Sequence, residues 1–184
     1  EPNLKLMGIE AVKSSTPAPC REKLKEALKI IMSGDSKMLN MFIQEFREEF
    51  MSLSPEEIAY PRSVNGLEKF TSDHNLFSKG APIHCKGAIL YNHLLQDKKL
   101  QNKYPYIQEG DKIKFLHMKT PNVYQSTSIS FMTKLPSELN LHNFIDYDMQ
   151  FEKSFVEPLK FITDIIRWQI DSSYGTQGTL EGFF

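Results

Sequence analysis

Two carboxylates one residue apart, Asp146 and Asp148 in IDYDMQ, stand out as a possible reactive group in this sequence. So does a lysine followed by three hydroxyls, Lys13-Ser14-Ser15-Thr16, just ahead of Pro17. A carboxylate pair can share a divalent cation and so support metal-dependent cleavage of a phosphodiester. In that reading Asp148→Ala abolishes activity. The alternative is that Asp146 and Asp148 cap the helix that follows them or lie on the surface. The Lys13 stretch is of another kind. One fixed charge and several short hydroxyl donors suit phosphate oxygens, and they stand where a strand gives way to a helix whose first N–H groups point outward. Ser15 or Thr16 is equally placed to cap that helix.

The rest of the composition restricts the chemistry further. Cys20 and Cys85 are far apart, with no CxxC and no His/Cys cluster. They read as free or buried thiols of a reducing compartment, with neither a disulfide framework nor a zinc site. A net charge of −1 gives the whole chain no bias toward nucleic acid or an anionic membrane, so charge must be read locally. Between Lys79 and Lys119 stand eight lysines (79, 86, 98, 99, 103, 112, 114 and 119) against Asp97, Glu109 and Asp111. A neutral chain with a segregated basic stretch can turn one side toward a polyanion. On charge alone, a merely solvated lysine face explains the stretch better. No apolar run approaches the roughly 20 residues of a membrane span, and no signal peptide opens the chain. It opens on EPNLKL, without Met and already heading into a strand, and so reads as a piece of a longer polypeptide.

The elements that would position these groups follow from pattern. Residues 4–12 read as a short strand. A helix over STPAPCREKLKEALKIIMSG buries Leu24, Leu28 and Ile31, and Gly34 stops it. A second helix, DSKMLNMFIQEFREEFMSL, carries Leu39, Phe42, Ile43, Phe46 and Phe50 on one face, antiparallel to the first. Residues 56–64 are strand or extended, with Pro61 marking a sheet edge. Residues 65–81 are loop-rich. A third helix over IHCKGAILYNHLLQDKKL buries Ile89, Leu90, Leu94 and Leu95, and two strands follow, DKIKFLHMK and STSISFMTKL, around a TPN turn. The last helix starts at Phe151, with Pro158 near its first turn and Phe155, Leu159, Ile162 and Ile166 inward. The expected class is α+β, mostly helical with a small antiparallel β element.

Lys5, Gly8, Ile9, Glu10, Lys13 and Pro17 form Lys-x-x-Gly-Ile-Glu-x-x-Lys-x-x-x-Pro, which resembles a motif of family B DNA polymerases at the passage from the palm's last strand into the thumb. Many members have two basic residues and an aspartate where this chain has Lys13-Ser14-Ser15. The KSSTP form is similar to that of T-even-type bacteriophage polymerases. PIHCKGAILYN (82–92), GDKIKFLHM, FEKSFVEPLKFI and an aromatic-ended tail resemble the thumb of the same polymerases, in the same order. The resemblance implies residues 1–14 as the palm–thumb junction, 15–172 as the thumb and 173–184 as a flexible tail. It further implies a grip on primer–template duplex at any sequence, through phosphate and sugar. Lys13, Ser14, Ser15 and Thr16 would make one contact set and His84 with Lys86 a second, where Gly87 allows close backbone approach. Arg62-Ser63 would be a third, with Lys112 and Lys114, which share a strand face, as weaker candidates. Taken without the resemblance, His84 reads as a satisfied, partly buried histidine and the two strand lysines as solvated.

The tail GTLEGFF resembles the clamp-binding peptide of replicative polymerases, with Leu180, Phe183 and Phe184 in the groove of a sliding clamp. Folding back on its own core, or disorder, is the alternative. IDYDMQ is not the polymerase metal motif, since no Asp-Thr-Asp follows its tyrosine. The Mg²⁺ sites of the parent enzyme belong to its palm, and no cofactor is expected in this piece. The expectation is therefore a polymerase fragment without activity of its own. Its partners would be duplex DNA, the clamp and the remaining palm, fingers and exonuclease, with no membrane, in the cytoplasm of an infected bacterium. The competing expectations are a protein-interaction module and the Asp146/Asp148 nuclease.

Overall fold

Gly34 ends the first helix for a stated reason: its φ of +83° is the left-handed conformation that side chains resist, and its N–H closes on Ile31 O at 3.0 Å. The computed structural model describes residues 13, 15–72 and 76–170, which divide into two compact units. One combines the described residues up to Leu53 with those from Tyr147 onward; the other is Ser54–Asp146.

In the first unit, α1 (Ala18–Ser33) and α2 (Ser36–Met51) pack together. The two residues between the helices suffice because Gly34 ends α1 and Asp35 caps α2, its carboxylate accepting from Met38 N at 2.9 Å. Lys23 of α1 reaches Glu49 of α2 at 3.4 Å and lies over the Phe42 and Phe46 rings. The buried set of α1 is Cys20, Leu24, Ala27 and Ile31, with Leu28 only half-buried. That of α2 is Leu39, Ile43, Phe46 and Phe50.

The last helix differs from expectation. It begins at Tyr147, as α6 (Tyr147–Phe151), passes through a π-helical turn over Glu152–Val156, and continues as α7 (Glu157–Ile165). Pro158 therefore lies well inside a continuous helical run. Proline lacks the N–H for an i→i−4 bond and crowds the preceding turn, and a local π-turn is one way to take up that mismatch. Glu157 N donates to Glu152 O across the wide turn, and the Ser154 hydroxyl donates to Gln150 O. The turn aims Phe151 and Phe155 at α2. The Phe46 and Phe155 centroids are 4.8 Å apart and those of Phe50 and Phe151 5.2 Å, in tilted or edge-on pairs. Leu159 and Ile162 are buried as expected, whereas Ile166 closes the helix half-exposed.

In the second unit, a three-stranded antiparallel sheet runs β1 (Tyr60–Ser63), β2 (Lys112–His117), β3 (Ser128–Phe131), in that order. Pro61 sits on the edge strand, as its missing N–H requires. The stretch expected to be extended from 56 instead opens with a short helix, α3 (Pro55–Ile58), because Ser54 and Glu57 form a reciprocal capping box. Another short helix, α4 (Leu67–Phe70), lies in the loop-rich segment. The long α5 (Ile83–Asp97) packs along the sheet. Among the described residues, no helix is long and apolar enough to cross a membrane.

Candidate nucleic-acid interface

The register of the sheet separates the candidate residues into two sets. Tyr60 pairs with Phe115, Arg62 with Ile113, and Phe115 with Ser130, so these side chains share one face. Helix α5 lies on that face. The Ser128 and Ser130 hydroxyls donate to the Ile83 and His84 carbonyls at 2.6 and 2.8 Å. Lys112 and Lys114 share a face with each other, as their spacing demands, but it is the opposite one.

Arg62 and His84 come together over this shared face. The guanidinium carbon lies 5.3 Å from the Tyr60 ring centre and 5.4 Å from that of Phe115, and Nη1 donates to Pro61 O at 2.7 Å. Tyr60 and Phe115 are themselves stacked at 5.0 Å. Arg62 is thus a planar cation laid on an aromatic pair, which fixes its fork before any ligand arrives. His84 lies with its ring centre 6.4 Å from Phe115. Burial first, and then the Arg62 charge, hold the imidazole below its ordinary pKa, against a hydrogen bond to the Ser63 backbone that raises it. A neutral imidazole has one N–H, and that of His84 is engaged by the Ser63 backbone, so the ring has neither a charge nor a spare donor to offer at pH 7.

Gly87 does not serve ligand approach. It is buried, and a Cβ there would stand 2.5 Å from Ser130 Oγ and 2.7 Å from Ser130 N. Its missing side chain lets α5 lie directly on β3. Asn92 of the same stretch is also structural: its amide brackets Ile107, accepting from the N–H at 2.8 Å and donating to the carbonyl at 2.9 Å. Lys86, half-buried, has its ammonium 5.6 Å from the Phe77 ring centre. Lys114 is half-buried and donates to Glu56 O at 3.2 Å, whereas Lys112 is exposed. Ser63, exposed, lies opposite Lys112 in the register.

In the other unit, Lys13 is exposed and its carbonyl accepts from Thr16 N at 3.0 Å in a tight turn. Neither Ser15 nor Thr16 caps α1. The N-cap is Pro17, with no side-chain hydrogen bond, and Pro19 removes one of the donors that a helix N-terminus offers. Thr16 is 8% exposed, so its hydroxyl is largely withdrawn. Ser14, the strand over 4–12 and the tail residues Leu180, Phe183 and Phe184 lie outside the described residues.

Asp148 is paired with Arg47 at 2.7 Å, in the first turn of α6. Asp146 marks the end of the other unit, its N–H donating to His117 O at 2.9 Å. Among the described residues, no three His, Cys, Asp or Glu side chains are grouped to hold a metal. Nothing in this geometry favours a cleavage site at the pair.

No protein-family model matches the chain. It is 28% identical over 163 residues, 86% of its length, to the DNA-directed DNA polymerase of Enterobacteria phage T4. It is 31% identical over 168 residues, 89% of its length, to the DNA-directed DNA polymerase of Escherichia phage RB69. It spans about 18% of each. Over most of its length, then, the chain is homologous to the DNA-directed DNA polymerases of these two phages.

Proposed function

We propose that this chain is the thumb of a T4-type, family B DNA polymerase and that it grips primer–template duplex through the sugar-phosphate backbone. The observation that supports this most is the breadth of the homology, 86–89% of the chain against phage polymerases. The exposed cations Lys13 and Lys112 are the direct phosphate contacts, one on each unit. Arg62, pre-set on its aromatic pair, adds oriented donors, and His84 packs beside it. None of these reads a base, as suits an enzyme that must hold any sequence. The C-terminal Leu180, Phe183 and Phe184 tether the polymerase to its sliding clamp, raising the effective concentration of the enzyme at the primer end. The Mg²⁺ ions and aspartates of phosphoryl transfer belong to the palm, and the chain alone extends no primer.

The test is fluorescence anisotropy of a primer–template hairpin titrated with the chain at 50 and 200 mM salt. Expected are affinity that falls steeply with salt and a log–log slope shallower by about 0.9 for each of Lys13→Ala and Lys112→Ala. Salt-insensitive binding of other proteins, with no duplex affinity up to high micromolar concentration, would show an interaction module instead.

A further inference from the structure

Lys86, in the first turn of α5, is one wall of a pocket of about 340 Å³ that also takes in Phe77, Ser78, Lys79, Gly80 and Tyr124. Among the described residues, the lining includes two lysines and no carboxylate. Among the described residues neither Lys79 nor Lys86 enters an ion pair, whereas Lys103, from the same basic stretch, is tied to Glu138 at 2.9 Å. Gly80 has a φ of +85°, and a Cβ there would meet nothing within 4 Å, so its backbone lies open to an approaching ligand. Two aromatic rings and a serine hydroxyl complete the wall. The wall is also rigid on the Tyr124 side. The Asn122 amide donates to Lys119 O at 2.9 Å and to Ser126 O at 2.7 Å, while its oxygen accepts from Tyr124 N at 3.0 Å.

Cations beside aromatic faces are the chemistry of single-stranded nucleic-acid sites, where phosphate meets lysine and a base meets a ring. The volume lies at the low end of the range of small-ligand pockets, about 300–1,000 Å³. That is room for one nucleotide and not for a duplex, whose phosphates are convex and whose bases are stacked away from side chains. We propose that this pocket takes one unpaired nucleotide of single-stranded DNA. Its phosphate is held by Lys79 and Lys86 and its base or sugar lies against Tyr124 and Phe77. The proposal rests on the reading of the chain as a DNA-handling module and adds a second strand state to it.

The experiment titrates the ¹⁵N-labelled chain with 5′-phosphorylated (dT)₆, with dTMP and with a blunt 20-base-pair duplex. (dT)₆ is expected to shift the Gly80 and Gln125 amides. Lys79→Met and, separately, Tyr124→Leu are expected to weaken (dT)₆ at least tenfold while duplex affinity stays within twofold. Lys79 is exposed, so its replacement leaves the fold intact even where Tyr124→Leu disturbs it. Duplex binding without any (dT)₆ binding overturns the pocket and leaves the grip standing. Bound (dT)₆ that is indifferent to Lys79→Met, or that shifts other amides only, also overturns it. Binding of dTMP but not (dT)₆ overturns the single-strand assignment in favour of a free nucleotide. Bound (dT)₆ that Lys79→Met weakens, with no duplex binding, supports the pocket and counts against the grip.

Discussion

An added methyl at Gly87 would collide with the Ser130 backbone N at 2.7 Å, and backbone gives way far less readily than a side-chain tip. Gly87→Ala should therefore cost about 3 kcal/mol, the upper part of the overpacking range, read as a lowered urea midpoint at unchanged m-value. Sequence made this glycine visible but attached the wrong reason to it: spacing shows that a close approach is needed, not what approaches. Thr16 was misread similarly. A hydroxyl before a helix signals a cap, yet prolines at 17 and 19 set the start of α1 without one. Glu138 carries a pH consequence. The Lys103 ammonium bonded to it, then its own backbone N–H and the Tyr104 and Ser137 hydroxyls, lower its pKa from 4.5 to about 2. A carboxylate lower in the folded than in the unfolded state stabilises above the unfolded value and loses that contribution as pH falls. Thermal melts should show this loss between pH 4.5 and 2, and Glu138→Gln should remove that part of the pH dependence.

At the scale of elements, the helices were legible wherever an apolar face recurred at helical spacing, as in Leu39, Ile43, Phe46 and Phe50. So were the edge position of Pro61 and the shared face of Lys112 and Lys114, since both follow from strand geometry alone. The π-turn was not. Nothing in the order of residues around Pro158 distinguishes a helix that starts there from one that runs through it, because the stop signal is overridden by the packing of Phe151 and Phe155 on α2. The short α3 had a readable signature in Ser54 and Glu57, masked by the strand-like AYPRSV beside it. The turn between α1 and α2 offers a clean test. Asp35→Ala leaves the Met38 N–H without its side-chain acceptor and should destabilise by about 1 kcal/mol, measured by chemical denaturation.

For the whole molecule, a net charge of −1 conceals a division between the units. Residues 54–146 carry eleven lysines and arginines against nine acidic side chains, and the remainder eleven against fourteen. The lysine stretch seen in sequence is real but partly spent on structure, since Lys103 serves Glu138 and Lys114 serves the Glu56 carbonyl. Sequence order could not show which lysines remain available, because partners such as Glu138 lie far along the chain. Salt dependence of duplex binding should accordingly report fewer phosphate contacts than the eight lysines suggest. Ser54–Asp146 is one continuous segment with its own sheet and core. Expressed alone it should give a single cooperative melt by circular dichroism, and a broad, featureless transition would show that it depends on the rest.

The hydrogen bond from the Tyr147 hydroxyl to Leu53 O, at 2.7 Å, joins the two points where one unit is interrupted and resumed. On the ribosome, α1 and α2 emerge first, but the rings that cover Phe46 and Phe50 emerge only after residues 54–146 have been made. At about 5–20 residues per second that interval lasts roughly 5–20 s, long beside the folding of a helix pair. During it the nascent chain presents a bare aromatic stripe. The inserted unit is complete in sequence before Phe151 and Phe155 are made, which makes it the first part of this chain with all its native contacts to hand.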